Sequence, residues 1–432
     1  MTTLYDEYKL IEDELMKCMK CGNCQAVCPV FSVQKTEAGV ARGKIALAEA
    51  ILKGKIDIQD PDIYDRVFDC LVCKSCMQNC PPQVNYDRIV LAMRTAIAKK
   101  KGLHPFKKTV FSLLFNHKPL LETGLKAGAM LQGLLTKPTE NNQGRTLRFP
   151  FGIFDRKRVL PTLAKVPFRD SVSEVIDCEK PQATVAFFTG CSINYLYPQI
   201  GNDIIEVLRQ NQIKIIIPKD QYCCGIAVFA HGDVTTARQM AKANLDAIER
   251  CQADYVVFGC GSCAGTFYHE YLELMRGDDV YEPLAKKCKE KAVEVSQLLM
   301  NKVNFTKPVK EVRRTVTYHD SCHLKKTMKV FNEPRRLIQS IPGITFKEMS
   351  KPDACCGSGG TYNLTHYETS TAILKNKIED INKTLADTVV TACPGCLMQI
   401  IDGIEQSGSG QEAMHYITLL AKAYRGEANN GH

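Results

Sequence analysis

Between residues 182 and 402 the chain alternates short β-branched and aromatic runs with longer stretches whose apolar positions recur every three or four residues. Thr184 to Phe188 (TVAFF), the IKIII run from Ile213 and the DYVVFGC run from Asp254 predict three strands. DIIEVLRQN and TTARQMAKANLDAIERC predict the helices between them. The succession returns from Thr315 as TVTY, PRRLIQSI, ITFKEM, HYETSTAILKNKIEDINK and DTVVTAC. Strand, helix, strand, helix, strand predicts a parallel sheet with right-handed crossovers, here twice in tandem. The first hundred residues read as helical instead. TEAGVARGKIALAEAILKGKIDI places Ile45, Ala46, Ala48, Ile51 and Leu52 at helical spacing, and YDRIVLAMRTAIAKK passes the same test. From His104 to Pro181 the apolar positions are irregular and mixed with basic residues. The pattern predicts an α+β multidomain chain: a helical unit over 1–100, a basic and apolar linker or docking segment over 101–181, and two α/β units over 182–305 and 306–432, the second with a C-terminal helix.

Composition changes this picture at one point. At 45% hydrophobic and 24% charged the chain is an ordinary globular sequence, and 432 residues suit about three domains. Its 21 cysteines are the outlier, and an odd number cannot pair completely. The amino terminus, MTTLYDEYKLIEDELMKC, has no basic and apolar leader pattern, so the expected location is cytoplasmic, where thiols stay reduced. Clustered cysteines then read as metal ligands or redox groups. The net charge is +9, with most of the excess between His104 and Asp170. That segment reads as a clamp packed on its neighbours or as a docking face for a flavoprotein or the inner surface of a membrane. No nucleic-acid partner is expected, because the basic residues are not arrayed on one helix and no known reader module is present.

Eight cysteines stand in two matching runs. Cys18-x2-Cys21-x2-Cys24-x3-Cys28-Pro29 recurs as Cys70-x2-Cys73-x2-Cys76-x3-Cys80-Pro81. This is the bacterial ferredoxin spacing for [4Fe-4S] clusters, in which three thiolates of one loop reach one cubane and the fourth reaches the other. One set is therefore Cys18, Cys21, Cys24 and Cys80, and the other Cys70, Cys73, Cys76 and Cys28. Neither run completes its own set, so the two must fold against each other. Zinc, the competing reading, prefers paired C-x2-C units with four ligands per ion. Arg42, near the first run, reads as a cluster hydrogen-bond donor or as a solvated helix start.

Ten more cysteines form an internal repeat. Cys191, Cys223, Cys224, Cys260 and Cys263 are followed by Cys322, Cys355, Cys356, Cys393 and Cys396 with nearly the same steps. Each lies at the carboxyl end of a predicted strand, where parallel sheets bind ligands. Gly225 and Gly357 follow the Cys pairs and lack a Cβ, which permits a tight turn close to a metal, and Gly259, Gly261, Gly359 and Gly360 extend that reading. Five thiolates are one more than a cubane or a zinc ion requires. From spacing alone, a four-Cys site with one spare thiol remains open. His231, His319 and His323 flank these motifs as proton donors, cluster hydrogen-bonders or structural residues. Cys178, Cys251 and Cys288 read as ordinary reduced thiols.

The C…CCG…C-x2-C pattern resembles the cysteine-rich CCG module of heterodisulfide reductase. Preceded by a double-cluster ferredoxin run, it is similar to the iron–sulfur subunits of glycolate oxidase and of lactate-oxidising complexes. The resemblance spans roughly residues 10–95 and 182–402. It implies a helical ferredoxin domain, like that of the succinate dehydrogenase iron–sulfur subunit, followed by two Rossmann-like modules. It also implies two cubane [4Fe-4S] clusters and one or two noncubane [4Fe-4S] clusters on the five-cysteine sets. No dinucleotide fingerprint or phosphate loop occurs, so neither flavin nor NAD is expected in this chain. The partners implied are an FAD-containing dehydrogenase subunit and an acceptor, a quinone or an electron-transfer protein. The function implied is electron transfer in 2-hydroxy-acid oxidation. The alternative is disulfide or quinone reduction at a noncubane cluster.

Overall fold

The computed structural model describes residues 11–103, 105–115, 117–149 and 158–427; the first ten residues and the Phe-rich stretch 150–157 of the basic segment lie outside the described residues. The amino-terminal part is helical. Short helices Asn23–Val27, Pro29–Gln34 and Ser75–Gln78 carry or follow the cysteine loops. The longer helices Ala41–Leu52 and Tyr86–Lys101 pack together beneath them. The expected stripe on Ala41–Leu52 holds for Ile45 and Ala48, which are buried, but Ala46 faces solvent and Lys44 is buried in its place. Lys44 is tolerated because its Nζ donates to Gly39 O at 2.6 Å and it lies in the field of Cys70, Asp69 and Cys28.

The basic segment folds as two helices, Pro105–Phe115 and Lys118–Leu135, followed by a hairpin of β1 (Thr136–Pro138) and β2 (Arg145–Leu147). It bonds to all three neighbours. Lys107 meets Tyr64, Lys118 donates to Lys219 O and Gln221 O, and Gln143 exchanges two hydrogen bonds with Ala413. These bonds clamp the segment onto the parts on either side of it.

The first α/β unit has five strands in the order β3 (Val175–Ile176), β5 (Ile213–Ile216), β4 (Ala183–Phe188), β6 (Tyr255–Phe258) and β7 (Ala292–Glu294). All pairings are parallel except that of β3 with β5. The second has β11 (Glu412–His415), β10 (Thr388–Thr391), β8 (Arg314–His319) and β9 (Ile344–Phe346), parallel throughout. The three strands expected of each unit are all present. β3, β7 and β11 are additions that the pattern did not announce, being two to four residues long. In register, Val185 faces Ile215 and Tyr255 across the first sheet, and Val316 faces Thr388 and Phe346 across the second. Val185, Ile215 and Val316 are fully buried, as residues of sheets covered on both faces should be.

The two sheets meet at their carboxyl ends. Gly261 N donates to Ala392 O at 3.0 Å, and His415 Nε2 lies 3.0 Å from Gly259 O. Tyr416 OH donates to the buried Glu294 at 2.6 Å. The C-terminal helix Tyr416–Arg425 lies along helix Pro198–Gln210 of the first unit.

Candidate metal centre

The two N-terminal cysteine loops share an unusual backbone. Lys20 (φ 56°) and Gly22 (φ 86°) of the first run correspond to Val72 (φ 51°) and Lys74 (φ 62°) of the second. Both loops therefore pass through left-handed conformations at the same two places, which curls each around a centre. A β-branched residue in that region is strained by about 1–3 kcal/mol. The strain at Val72 marks a loop shaped for its contents rather than for the apo chain.

The result is two adjacent voids. One is lined by Cys18, Cys21, Cys24 and Cys80 with Arg42, and the other by Cys28, Cys70, Cys73 and Cys76 with Lys74 and Tyr86; Cys76 borders both. Cys80 thus sits among the thiols of the first loop and Cys28 among those of the second, so each void draws on both runs. Burial pushes the Cys28 thiol up to about 12, and burial followed by the nearby Cys73 and Cys70 raises Cys76 well above the usual thiol range. Buried thiols crowded like this suit a metal that takes up their negative charge. Arg42 forks onto Glu37 (2.6 and 2.8 Å) and donates to Lys20 O at 3.1 Å, so it fastens the first loop while lining its void.

Buried cations surround the second void. Lys74 lies 3.1 Å from Asp87 and 2.7 Å from Glu270, all nearly inaccessible. Asp87, His269 and Glu270 could otherwise hold a metal ion, but the Lys74 ammonium already supplies the positive charge there. Arg94 donates to the carbonyls of Val67, Phe68, Cys70 and Ala230.

The ten cysteines of the repeat lie at the strand ends. Cys191 sits in the first turn after β4, in helix Gly190–Tyr195. Cys260 and Cys393 cap helices Gly261–Gly265 and Pro394–Ser407, with Cys263 and Cys396 just inside. Gly225 (φ 84°) and Gly357 (φ 88°) take left-handed turns directly after the Cys pairs. A Cβ on Gly357 would stand 2.5 Å from Ser370 O, whereas one on Gly225 would meet nothing closer than 3.7 Å. Gly259 serves packing instead, since a Cβ there would strike Ile204. Gly190, which belongs to no motif in the sequence, leaves room for the Cys263 sulfur, 2.9 Å from where its Cβ would be.

The thiols form one succession. Cys191 neighbours Cys223, which neighbours Cys224; Cys224 and Cys260 both neighbour Cys263. In the second unit Cys322, Cys355, Cys356, Cys396 and Cys393 follow in the same way. Two further contacts join the sets. Cys260 Sγ lies 3.9 Å from Cys393 Sγ, and Cys73 of the N-terminal loop packs against the buried cluster that contains Cys355. Neighbouring thiols hold four of them well below the ordinary thiol range: Cys223 acts on Cys224, Cys355 on Cys356, Cys260 on Cys393 and Cys355 on Cys73.

The two five-cysteine sets differ in their surroundings. His319, fully buried, brings its ring within 4.8 Å of the Cys356 and Cys396 sulfurs. The matching position three residues before Cys191 is Phe188, packed on Phe258 and Phe267. His323 lines a cavity of about 100 Å³ together with Ser262, Ser321 and thiols of the second set. His231 is structural: it stacks on Phe68, bonds Thr361 Oγ1 at 2.7 Å, and burial pushes its pKa down to about 3. Cys251 and Cys288, pushed up by burial to about 11 and about 12, lie apart from the succession, as does the half-buried Cys178.

Comparison with known proteins agrees with this layout. Residues 14–84 match a 4Fe-4S dicluster domain, and residues 185–268 and 316–401 each match a cysteine-rich domain, CCG. A subunit of the dihydromethanophenazine:CoB–CoM heterodisulfide reductase of Methanosarcina barkeri is 26% identical over 95% of this chain and 94% of its own length. Lactate utilization protein A of Halalkalibacterium halodurans is 31% identical over 55% of this chain and 96% of its own. The probable glycolate oxidase iron–sulfur subunit of Bacillus subtilis is 34% identical over 98% of this chain and 97% of its own. With that similarity running almost end to end, the chain belongs to the family of the glycolate oxidase iron–sulfur subunit.

Proposed function

We propose that the protein is the iron–sulfur electron-transfer subunit of a flavin-dependent complex oxidising a 2-hydroxy acid such as glycolate or lactate. Cys18, Cys21, Cys24 and Cys80 would hold one [4Fe-4S] cubane, and Cys28, Cys70, Cys73 and Cys76 the other. Cys191, Cys223, Cys224, Cys260 and Cys263, and Cys322, Cys355, Cys356, Cys393 and Cys396, would hold the clusters of the two modules, of noncubane type by family resemblance. Such clusters supply one-electron exchange. The protein's own part is to set them in line, to shield them from water and to balance their charge with Lys44, Arg94 and Lys326, the last buried beside Cys322, Cys73 and Cys355. The observation that carries the reading is the run of neighbouring thiol groups, with Cys76 lining both N-terminal voids, Cys73 packed against the cluster that contains Cys355, and Cys260 3.9 Å from Cys393.

The electrons come from an FAD-containing partner subunit and leave to a quinone or a soluble carrier. No helix among the described residues is long and apolar enough to cross a membrane, so contact with a bilayer is peripheral in this reading. Anaerobic purification from the native host tests it. A stoichiometric flavoprotein should copurify, with about sixteen irons per chain if all four sites are filled. A preparation free of iron that works at full rate refutes it.

One observation favours a second reading, catalytic disulfide reduction. The cavity beside His323 and the second thiol set has room for a small group, and Ser321 Oγ and His323 Nε2 in its wall have no partner among the described residues. Release of free thiol from candidate disulfides, driven by reduced carrier, would establish it.

A further inference from the structure

Helix Lys118–Leu135 carries one face that is left exposed among the described residues. Leu120, Ala127, Met130, Leu131 and Leu134 fall on it at helical spacing with Thr123 and Gly124, and it holds no charge along about 21 Å. Met130 is 82% exposed, Leu134 71%, Leu120 62% and Leu131 57%. Arg148 N donates to Leu135 O at 3.0 Å, which sets the exposed Phe149 beside the last turn. Side chains this apolar are rarely left in water over a whole helix face.

The other face is fastened. Gln132 exchanges two hydrogen bonds with the Leu163 backbone (3.0 and 3.1 Å), and Glu122, the only acid in the helix, accepts from Tyr195 OH at 3.0 Å. Lys118 caps Lys219 O and Gln221 O. The helix therefore cannot roll its apolar face inward.

The charges around the face decide its occupant. Lys137, Arg148 and Lys126, the last paired with Asp170 at 3.2 Å, border it, and all three are exposed. A second copy of this chain would bring the same cations against themselves. An apolar helix face with an aromatic at its tip and a cationic border matches a bilayer with anionic headgroups. We propose that helix Lys118–Leu135 and Phe149 lie in the plane of an anionic membrane surface. The inference deepens the functional reading, on which it rests, by fixing which end of the relay faces the bilayer. Tyr195 and Gln221, on which the helix is fastened, lie close in sequence to Cys191 and Cys223, so the first five-cysteine module is the one presented to a lipid-soluble acceptor.

Co-sedimentation of the full-length, iron-loaded chain with phosphatidylcholine vesicles, with and without phosphatidylglycerol, tests this. The wild type should sediment with anionic vesicles, and far less with neutral ones or at high salt. The double variant Leu131→Glu, Leu134→Glu should bind at least about tenfold more weakly at unchanged iron content. Because the chain has no tryptophan, Leu134→Trp adds a single reporter whose emission should move to the blue only on anionic vesicles. A wild type that stays in the supernatant, including one that docks only to a flavoprotein, overturns the proposal, as does unchanged binding of the double variant. Iron content and visible absorbance of the same samples judge the relay separately: intact clusters without binding defeat the membrane inference alone.

Discussion

Gly357 and Gly225 occupy the same place in the two modules but not the same space. Both turn left-handed, so an alanine at either is strained by about 1–2 kcal/mol. At Gly357 the added methyl also meets a carbonyl oxygen at 2.5 Å, which must shift. Gly357→Ala is therefore expected to cost clearly more stability than Gly225→Ala, and to release iron from its module first, as read by urea midpoints and by iron content after gel filtration. Equal losses would show that the turn, not the close approach, is what the glycine provides. A second residue sets a pH dependence. Burial raises the Glu294 carboxyl to about 7, with Ser296 and Tyr416 hydrogen bonds opposing the rise. The folded protein holds that proton more tightly than the unfolded chain does. The stability contribution is full below the ordinary glutamate value and is lost as pH climbs from about 4.5 to about 7, by up to about 3 kcal/mol. Glu294→Gln should flatten that part of the stability profile while keeping a hydrogen bond with Tyr416.

The two cysteine loops, as elements, depend on each other. If ligation is crossed, Cys80→Ser should abolish the same paramagnetic signal as Cys21→Ser, and Cys28→Ser the same signal as Cys73→Ser. Losses that follow each run separately would mean that each loop fills its own site. The loops also depend on the first module through Lys74. Lys74→Met would leave Asp87 and Glu270 buried without their shared cation, at a cost of about 3–5 kcal/mol. Protease cutting between the helical part and the first sheet should then speed up. The loops, the strand triplets and the positions of all eighteen clustered cysteines were legible in the sequence, because each repeats at fixed spacing. β7 and β11 were not, since three or four residues between helices carry no periodic signal. Neither was the left-handed Val72, because nothing in its side chain favours that conformation; Gly22, in the first loop, gave the only hint. The burial of Lys44 in place of Ala46 escaped for a related reason: the thiols and carboxylate whose field favours a buried ammonium there, Cys70, Cys28 and Asp69, come from other segments.

For the whole molecule, the contacts that join its parts matter most, and they left no trace in the sequence pattern. Gly261 with Ala392, Cys260 with Cys393 and Cys73 with Cys355 bring together residues 131 to 282 positions apart. The sequence showed two matched modules; the structure shows them facing each other, and the N-terminal loops leaning on the second. The symmetry is also broken at His319, which stands where the first module has Phe188. His319→Phe is expected to leave the iron content of the second module intact while moving its reduction potential. A histidine that only fills space would leave the potential unchanged.

The wall of the second N-terminal void has a consequence for how the protein is made. Its loop is translated early, but Glu270, Tyr362 (which donates to Asp69 at 2.6 Å) and Cys355 complete its surroundings only much later in the chain. While the ribosome is still at work, that half-built pocket stands open to oxygen and to the wrong metal. Iron delivery is thus expected to follow translation, and a nascent chain halted before the second module should emerge with its first loops synthesised but unable to keep their cargo.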